Sequence, residues 1–233
     1  MLQKRAPVLT FTVLITVFAT GSSETLRQYI FAKIFPFISS KSEGMLRQYR
    51  CENIANITGK VLEIGPGTGN NFQCWGNNTG IKKWVGIEPN VFFEDSLNVA
   101  RSNVNFPTEV IWQSAAIPGL LDDDFDVVIA THVLCSVSDV QSVLQTISSA
   151  LKPGGTYVFF EHVKAETQDT WNLYLQILFE PVFSLVGNGC QFKNLEAYLK
   201  STPLFTVDTF KSFELPMSIP IMKPHITGAL IRK

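Results

Sequence analysis

From Lys60 onward, short apolar runs alternate with polar or glycine-rich breaks. Lys60-Val61-Leu62-Glu63-Ile64 and Lys83-Trp84-Val85-Gly86-Ile87 are brief, β-branched and bounded by turn residues, which predicts strands. Glu109 to Gln113 predicts a third, Asp122 to Thr131 leads into a buried fourth, and Thr156 to Phe160 predicts a fifth. Between the last two, Val140, Val143, Leu144, Ile147 and Leu151 recur at helical spacing behind Asp139, and Lys152-Pro153-Gly154-Gly155 stops that helix. Trp171 to Phe179 reads as a helix ending at Glu180-Pro181. The alternation of Phe205 to Phe213 and of Ile226 to Ile231 predicts two further strands. Strands alternating with helices indicate an α/β fold.

The front of the chain has a different pattern. An uncharged run from Ala6 to Gly21 follows Lys4-Arg5, and it is shorter than the ~20 residues a spanning helix needs. A retained membrane anchor and a cleaved signal peptide both fit it, the second because Ala19, Gly21, Ser22 and Ser23 are small. Asn56-Ile57-Thr58 and Asn77-Asn78-Thr79 have the form of glycosylation sequons. Were the run to span with its basic end in the cytosol, the remainder would lie in the lumen, whereas a monotopic arrangement keeps it cytosolic. Tyr29 to Ile38, apolar and interrupted by Pro36, predicts either an interfacial segment or a flap on the core. A polar helix over Lys41 to Ile54 would follow, with Met45, Leu46 and Tyr49 toward the cleft. The expected division is 1–40 for anchor and interfacial segment and 41–233 for one catalytic domain, its core at 60–162.

Nineteen basic against twenty acidic residues give a net charge of −1. That balance supplies no field to attract nucleic acid, and the positive mean hydropathy favours apolar partners or a membrane surface. Glycine at 65, 67 and 69 directly after a strand leaves the backbone open to a ligand. The dinucleotide pattern G-x-G-x-x-G fails, because Asn70 and Phe72 stand where its last glycine would be. Glu88 ends the second strand roughly 20 residues on, where a ribose-binding acid belongs. His132 and His162 end the fourth and fifth strands, at the ligand-binding edge of such sheets, and are the candidate catalytic groups. Cys51, Cys74, Cys135 and Cys190 are widely spaced, so neither a disulfide framework nor a metal site is expected, and each reads as a buried small hydrophobe.

LEIGPGTG, GIEPN, DDDFDVVIATHVLCSV and LKPGGTYVFFEH together resemble the motifs of class I S-adenosylmethionine-dependent methyltransferases over about Lys60 to His162. Phe179-Glu180-Pro181, Gly187-Asn188-Gly189-Cys190 and Pro224-His225-Ile226-Thr227-Gly228, with LCSV and EHV, are similar to the membrane-associated members that methylate small alkyl thiols. The resemblance implies a seven-stranded, mostly parallel, doubly wound Rossmann-like sheet with an antiparallel C-terminal strand. It implies S-adenosylmethionine as cofactor, with Glu63, Gly65, Gly67 and Gly69 around its methionine end, Glu88 on the ribose, and Ser114 and Ala115 beside the adenine. A small apolar acceptor, most simply a thiol, and monotopic attachment to the cytosolic face of the endoplasmic reticulum or a lipid droplet follow from it. Lipid or quinone-like acceptors, and a non-catalytic module keeping the fold, stand as alternatives. Two departures matter: many relatives carry an acid near Ser114, and Pro66 removes one loop N–H.

Overall fold

The computed structural model describes residues 24–76, 78–117, 121 and 124–233. The apolar run Ala6 to Gly21 and the sequon asparagine Asn77 lie outside them.

The strands are β1 (Gly59–Ile64), β2 (Ile81–Ile87), β3 (Thr108–Ile111), β4 (Phe125–Thr131), β5 (Leu151–His162), β6 (Phe205–Glu214) and β7 (Pro224–Arg232). They form one sheet in the order β3-β2-β1-β4-β5-β7-β6. The first five pair in parallel, and β7 pairs antiparallel with both β5 and β6. Strand order reverses between β1 and β4, which opens a crevice at their C-terminal ends, the usual ligand position in open α/β sheets.

Period-two alternation fills both faces. Leu62, Val128, Tyr157 and Phe159 join one core while Val61, Ile129 and Val158 join the other, as expected for strands covered on two sides. The first core packs under α3 (Val140–Ala150), whose N-terminus is capped by the Asp139 carboxylate accepting from Gln141 and Ser142 amides. In the second, Trp75 and Trp84 are fully buried beside Leu97 of α2 (Glu94–Arg101).

Two helices run through prolines expected to break them. α1 (Glu24–Ile54) merges the expected interfacial segment and the polar helix into 31 residues, with Pro36 inside. Packing on both sides of the proline offsets the lost hydrogen bond: Phe31 and Phe35 set their rings on Phe93, and Leu46 and Ile54 are buried further along. Tyr29 to Ile38 is therefore part of a helix lying on the catalytic core. α4 (Thr170–Val186) likewise continues past Pro181. Its buried Gln176 accepts from the Ala165 amide and donates to the Val163 and Ile221 carbonyls, which ties the helix to two loops. α5 (Leu195–Ser201) completes the covering of the first core.

Candidate active site

The chain leaves β1 through Gly65, Gly67 and Gly69, all at positive φ (64°, 55° and 79°). A short 3-10 helix, Asn70–Cys74, follows. The glycines differ in what surrounds them. A Cβ on Gly65 would come within 2.7 Å of Val133, and one on Gly69 within 2.6 Å of Ala100. A Cβ on Gly67 would meet nothing within 4 Å, so it opens onto free space above the sheet edge.

Beside that space, Glu88 Oε2 accepts from the Gly67 amide at 2.9 Å and Oε1 from the Asn90 amide at 2.8 Å. Burial pushes the Glu88 carboxyl up to about 7 against the opposing pull of those two bonds. The Glu88 amide donates to the Ile111 carbonyl, joining the ends of β2 and β3. Ala115 packs with Ile64 and Ile87 in the core below, and Ser114 is exposed, its hydroxyl accepting from the Ala116 amide. Glu88 thus binds the glycine loop at one end of the crevice, and Ser114 and Ala115 follow β3, the strand paired with the one that leads into Glu88. Glu63 does not line it: 1% exposed, it accepts from Asn71 Nδ2 and from the Trp84 indole, both at 2.9 Å. Its burial also raises its pKa to about 7, and its evident work is to hold the 3-10 helix under the loop.

Helix α1 straps this end. Asn90 Nδ2 donates to the Gln28 carbonyl, Asn70 Nδ2 donates to Glu43, and a disulfide joins Cys51 of α1 to Cys74 of the 3-10 helix. Farther along, Leu46 packs with Phe160, and Tyr49 stacks on Phe213.

At the other end of the crevice all three histidines of the chain gather. His225 Nδ1 lies 3.0 Å from the Lys223 carbonyl, so that nitrogen carries the proton and Nε2 is an acceptor. His132 Nε2, 3.0 Å away, therefore donates to it, which leaves the His132 Nδ1 lone pair unprotonated. His132 holds φ 56°, an uncommon value for a side-chain-bearing residue. Its turn is fixed by Glu161, which is fully buried and accepts from the Val133 and Leu134 amides. Burial lowers all three imidazoles, His162 to about 3 and His225 to about 4, with His132 well below its usual value, so each is neutral at pH 7.

His132 remains partly accessible, whereas His162 is 2% exposed. His162 packs against Phe183 and Phe192, with Nε2 2.9 Å from Cys190 Sγ. The cysteines correct the sequence reading, for Cys51–Cys74 and Cys135–Cys190 are disulfide-paired. Partners 23 and 55 residues apart have no spacing signature, and only the tertiary fold brings them together. His225 was the missed member of the site. Its place opposite His162 depends on β7 entering antiparallel to β5, which no local pattern around it reveals.

A methyltransferase-domain family model matches residues 26–198. Human thiol S-methyltransferase TMT1B is 33% identical over 221 residues, covering 88% of this chain and 85% of that protein. Human thiol S-methyltransferase TMT1A is 30% identical, covering 78% and 75%. The ubiquinone biosynthesis O-methyltransferase of Pectobacterium carotovorum is 29% identical, covering 82% and 70%. Among solved structures, an S-adenosylmethionine-dependent methyltransferase of Thermotoga maritima, described as a possible histamine N-methyltransferase, superposes with a TM-score of 0.62 at 18% identity, over 89% of this chain and 100% of that one. The geranyl diphosphate C-methyltransferase of Streptomyces coelicolor, solved with S-adenosylhomocysteine, gives 0.63 at 12% identity, over 83% and 82%. The space beside Gly67, next to the Glu88 carboxylate, suits a nucleoside with an amino-acid tail: a carboxylate for vicinal hydroxyls and a loop with glycine at every second position.

Proposed function

Because this chain belongs to the methyltransferase-domain family and is an S-adenosylmethionine-dependent enzyme, we propose that it methylates small apolar thiols at a membrane surface. The observation that carries the acceptor class is the identity, 30–33% over three quarters or more of both chains, with relatives named thiol S-methyltransferases. The acceptor end agrees with it, since neutral imidazoles and aromatic rings offer an apolar molecule no charge to desolvate.

The cofactor supplies a methyl group on a sulfonium sulfur, already activated for in-line displacement. The protein's share is placement, and holding two reactants in attack geometry can contribute about 7–11 kcal/mol. In this reading Gly65, Gly67 and Gly69 admit the methionine end and Glu88 turns its carboxylate to the ribose hydroxyls. Ser114 and Ala115 border the adenine, and Glu63 supports the loop from below. His132 Nδ1 accepts the S–H hydrogen bond of the acceptor and orients its sulfur. So weak a base does not retain the proton, and a free thiol of pKa about 8.5 supplies a thiolate fraction unaided. His162 shapes the site from behind.

The membrane part rests on α4 and α1. Trp171, Tyr174, Leu178 and Val182 recur at helical spacing and are exposed, and Phe37 of α1 is exposed as well. Among the described residues no helix is long and apolar enough to cross a membrane. In this reading the attachment is monotopic, on the cytosolic face of the endoplasmic reticulum or of a lipid droplet. Turnover of full-length protein on a panel of alkyl thiols, phenols and amines, with methylated products identified by mass spectrometry, tests the acceptor class. Alkyl thiols are expected to have the highest kcat/KM. A preference for phenols or quinols would replace the thiol reading with O-methylation, in line with the ubiquinone-pathway relative.

A further inference from the structure

Cys135 follows β4, His162 ends β5 and Cys190 follows α4, yet their ligand atoms all lie within 4.8 Å of one another and all three residues are buried. We propose that the reduced protein holds a zinc ion on Cys135 Sγ, Cys190 Sγ and the His162 imidazole, with its fourth position open to an acceptor thiolate. The fourth-position part rests on the thiol reading above; the three-ligand site does not.

Two thiolates, one imidazole and an open position form the donor set of a catalytic zinc site rather than a closed structural one. Bond lengths of about 2.3 Å to sulfur and 2.0–2.1 Å to nitrogen place tetrahedral ligand atoms roughly 3.5–3.8 Å apart. In the oxidised form the two sulfurs are bonded to each other, His162 Nε2 lies 2.9 Å from Cys190 Sγ, no ligand atom is farther than 4.8 Å from another, and the cysteine Cα atoms are 4.9 Å apart, so reduction has to let the sulfurs separate to that spacing. His162 Nδ1 is buried with no hydrogen-bond partner among the described residues, and the ring is held by the Cys190 sulfur and by Phe183 and Phe192.

Charge points the same way. Two thiolates buried here would carry two negative charges, more than the single nearby ammonium of Lys193, which donates to the Leu134 and Val137 carbonyls, can offset. A divalent ion makes the set neutral. The disulfide and the zinc site are alternative states of one cysteine pair. A phosphine reductant takes oxygen from water to become its oxide, and two electrons and two protons pass to the sulfurs. Zinc then displaces both thiol protons as the two Zn–S bonds form.

Full-length protein, reduced with a phosphine so that no thiol reagent competes, is dialysed against Zn2+ and assayed for bound metal. About one zinc per chain is expected in the wild type and in Cys51→Ser, and almost none in Cys135→Ser or Cys190→Ser. His162→Ala should weaken zinc by more than the 10–100-fold typical of losing a mere outer partner. Unaltered S-adenosylhomocysteine binding certifies the fold of each variant. The Co2+ form of the wild type, which needs no mutation, should show sulfur-to-metal charge transfer that changes on adding propanethiol and vanishes on reoxidation. A reduced wild type without zinc, or serine variants that bind it equally, overturns the site. A Co2+ spectrum indifferent to propanethiol overturns the open position. Thiol methylation undiminished in zinc-free protein overturns the open position and leaves the function and the three-ligand site standing, whereas a zinc-loaded chain that methylates only phenols overturns the thiol reading and leaves the three-ligand site standing.

Discussion

Replacing Gly67 by alanine separates cofactor space from structural space, because of the three loop glycines it alone has room for a Cβ. The backbone cost is that of an L residue at φ 55°, about 1–2 kcal/mol. On a chain of this length that lowers Tm by roughly 2–8 °C, so the variant folds. The added carbon projects into the space beside Glu88, and crowding a bound molecule by one carbon costs about 1–3 kcal/mol, or roughly 5–150-fold in Kd. Gly69→Ala should behave oppositely. Its Cβ lands 2.6 Å from Ala100 Cβ and 3.1 Å from Leu97, so overpacking adds to strain and Tm falls further than for Gly67→Ala. Calorimetric titration with S-adenosylhomocysteine, paired with ligand-free melting, reads both quantities. A folded Gly67→Ala protein that binds with wild-type affinity would show that the open space is not where the cofactor lies.

Glu88→Ala should weaken the same titration by about 10-fold or more, since a hydrogen bond to a charged group is worth about 1.5–3 kcal/mol; unchanged affinity removes Glu88 from the site. Trp171→Ser with Leu178→Ser should reduce flotation with neutral liposomes and leave ligand binding intact, and full flotation would move the attachment elsewhere. Stability should form a plateau in pH. Glu63, Glu88 and Glu161, raised from 4.5 to about 7, stabilise most below 4.5, and that contribution is lost as pH rises to 7. His162 and His225, lowered from 6.5 to about 3 and 4, and His132, lowered well below 6.5, stabilise most above 6.5, and that contribution is lost as pH falls. The two sets oppose each other between about 4.5 and 6.5, so Tm of the ligand-free protein should be flat there and drop on both sides; a steady slope across that interval would refute the assignment.

The sheet was readable because each strand announces itself locally, and burial of Val61 against Leu62 or Ile129 against Val128 on opposite faces needs only period two. The glycine loop and Glu88 were readable for the same reason, being short in sequence and tied to strand ends. What local pattern could not supply is anything fixed by distant packing. Pro36 and Pro181 stay helical because aromatic contacts and the Gln176 bonds hold their helices from outside. Glu63 carries the acid of the motif, yet Trp84, the fourth residue of β2, donates to one of its oxygens. His225 joined the site only when β7 was placed, and both cysteine pairs closed only with the tertiary fold.

Those pairs bear on the compartment as well, because stable disulfides belong to oxidising compartments while the proposed cofactor supply and a reduced Cys135–Cys190 pair belong to the cytosol. Only the state of the chain in cells reconciles them. If the domain faces the cytosol, alkylation before lysis should label Cys135 and Cys190 as thiols, the mature chain should begin at or near Met1, and Asn56 should carry no glycan. Disulfide-linked peptides together with a new terminus near Ser22 or a glycosylated Asn56 would place the domain in the secretory lumen. The membrane reading would then give way to a cleaved signal peptide, and the zinc site would be closed by its own disulfide.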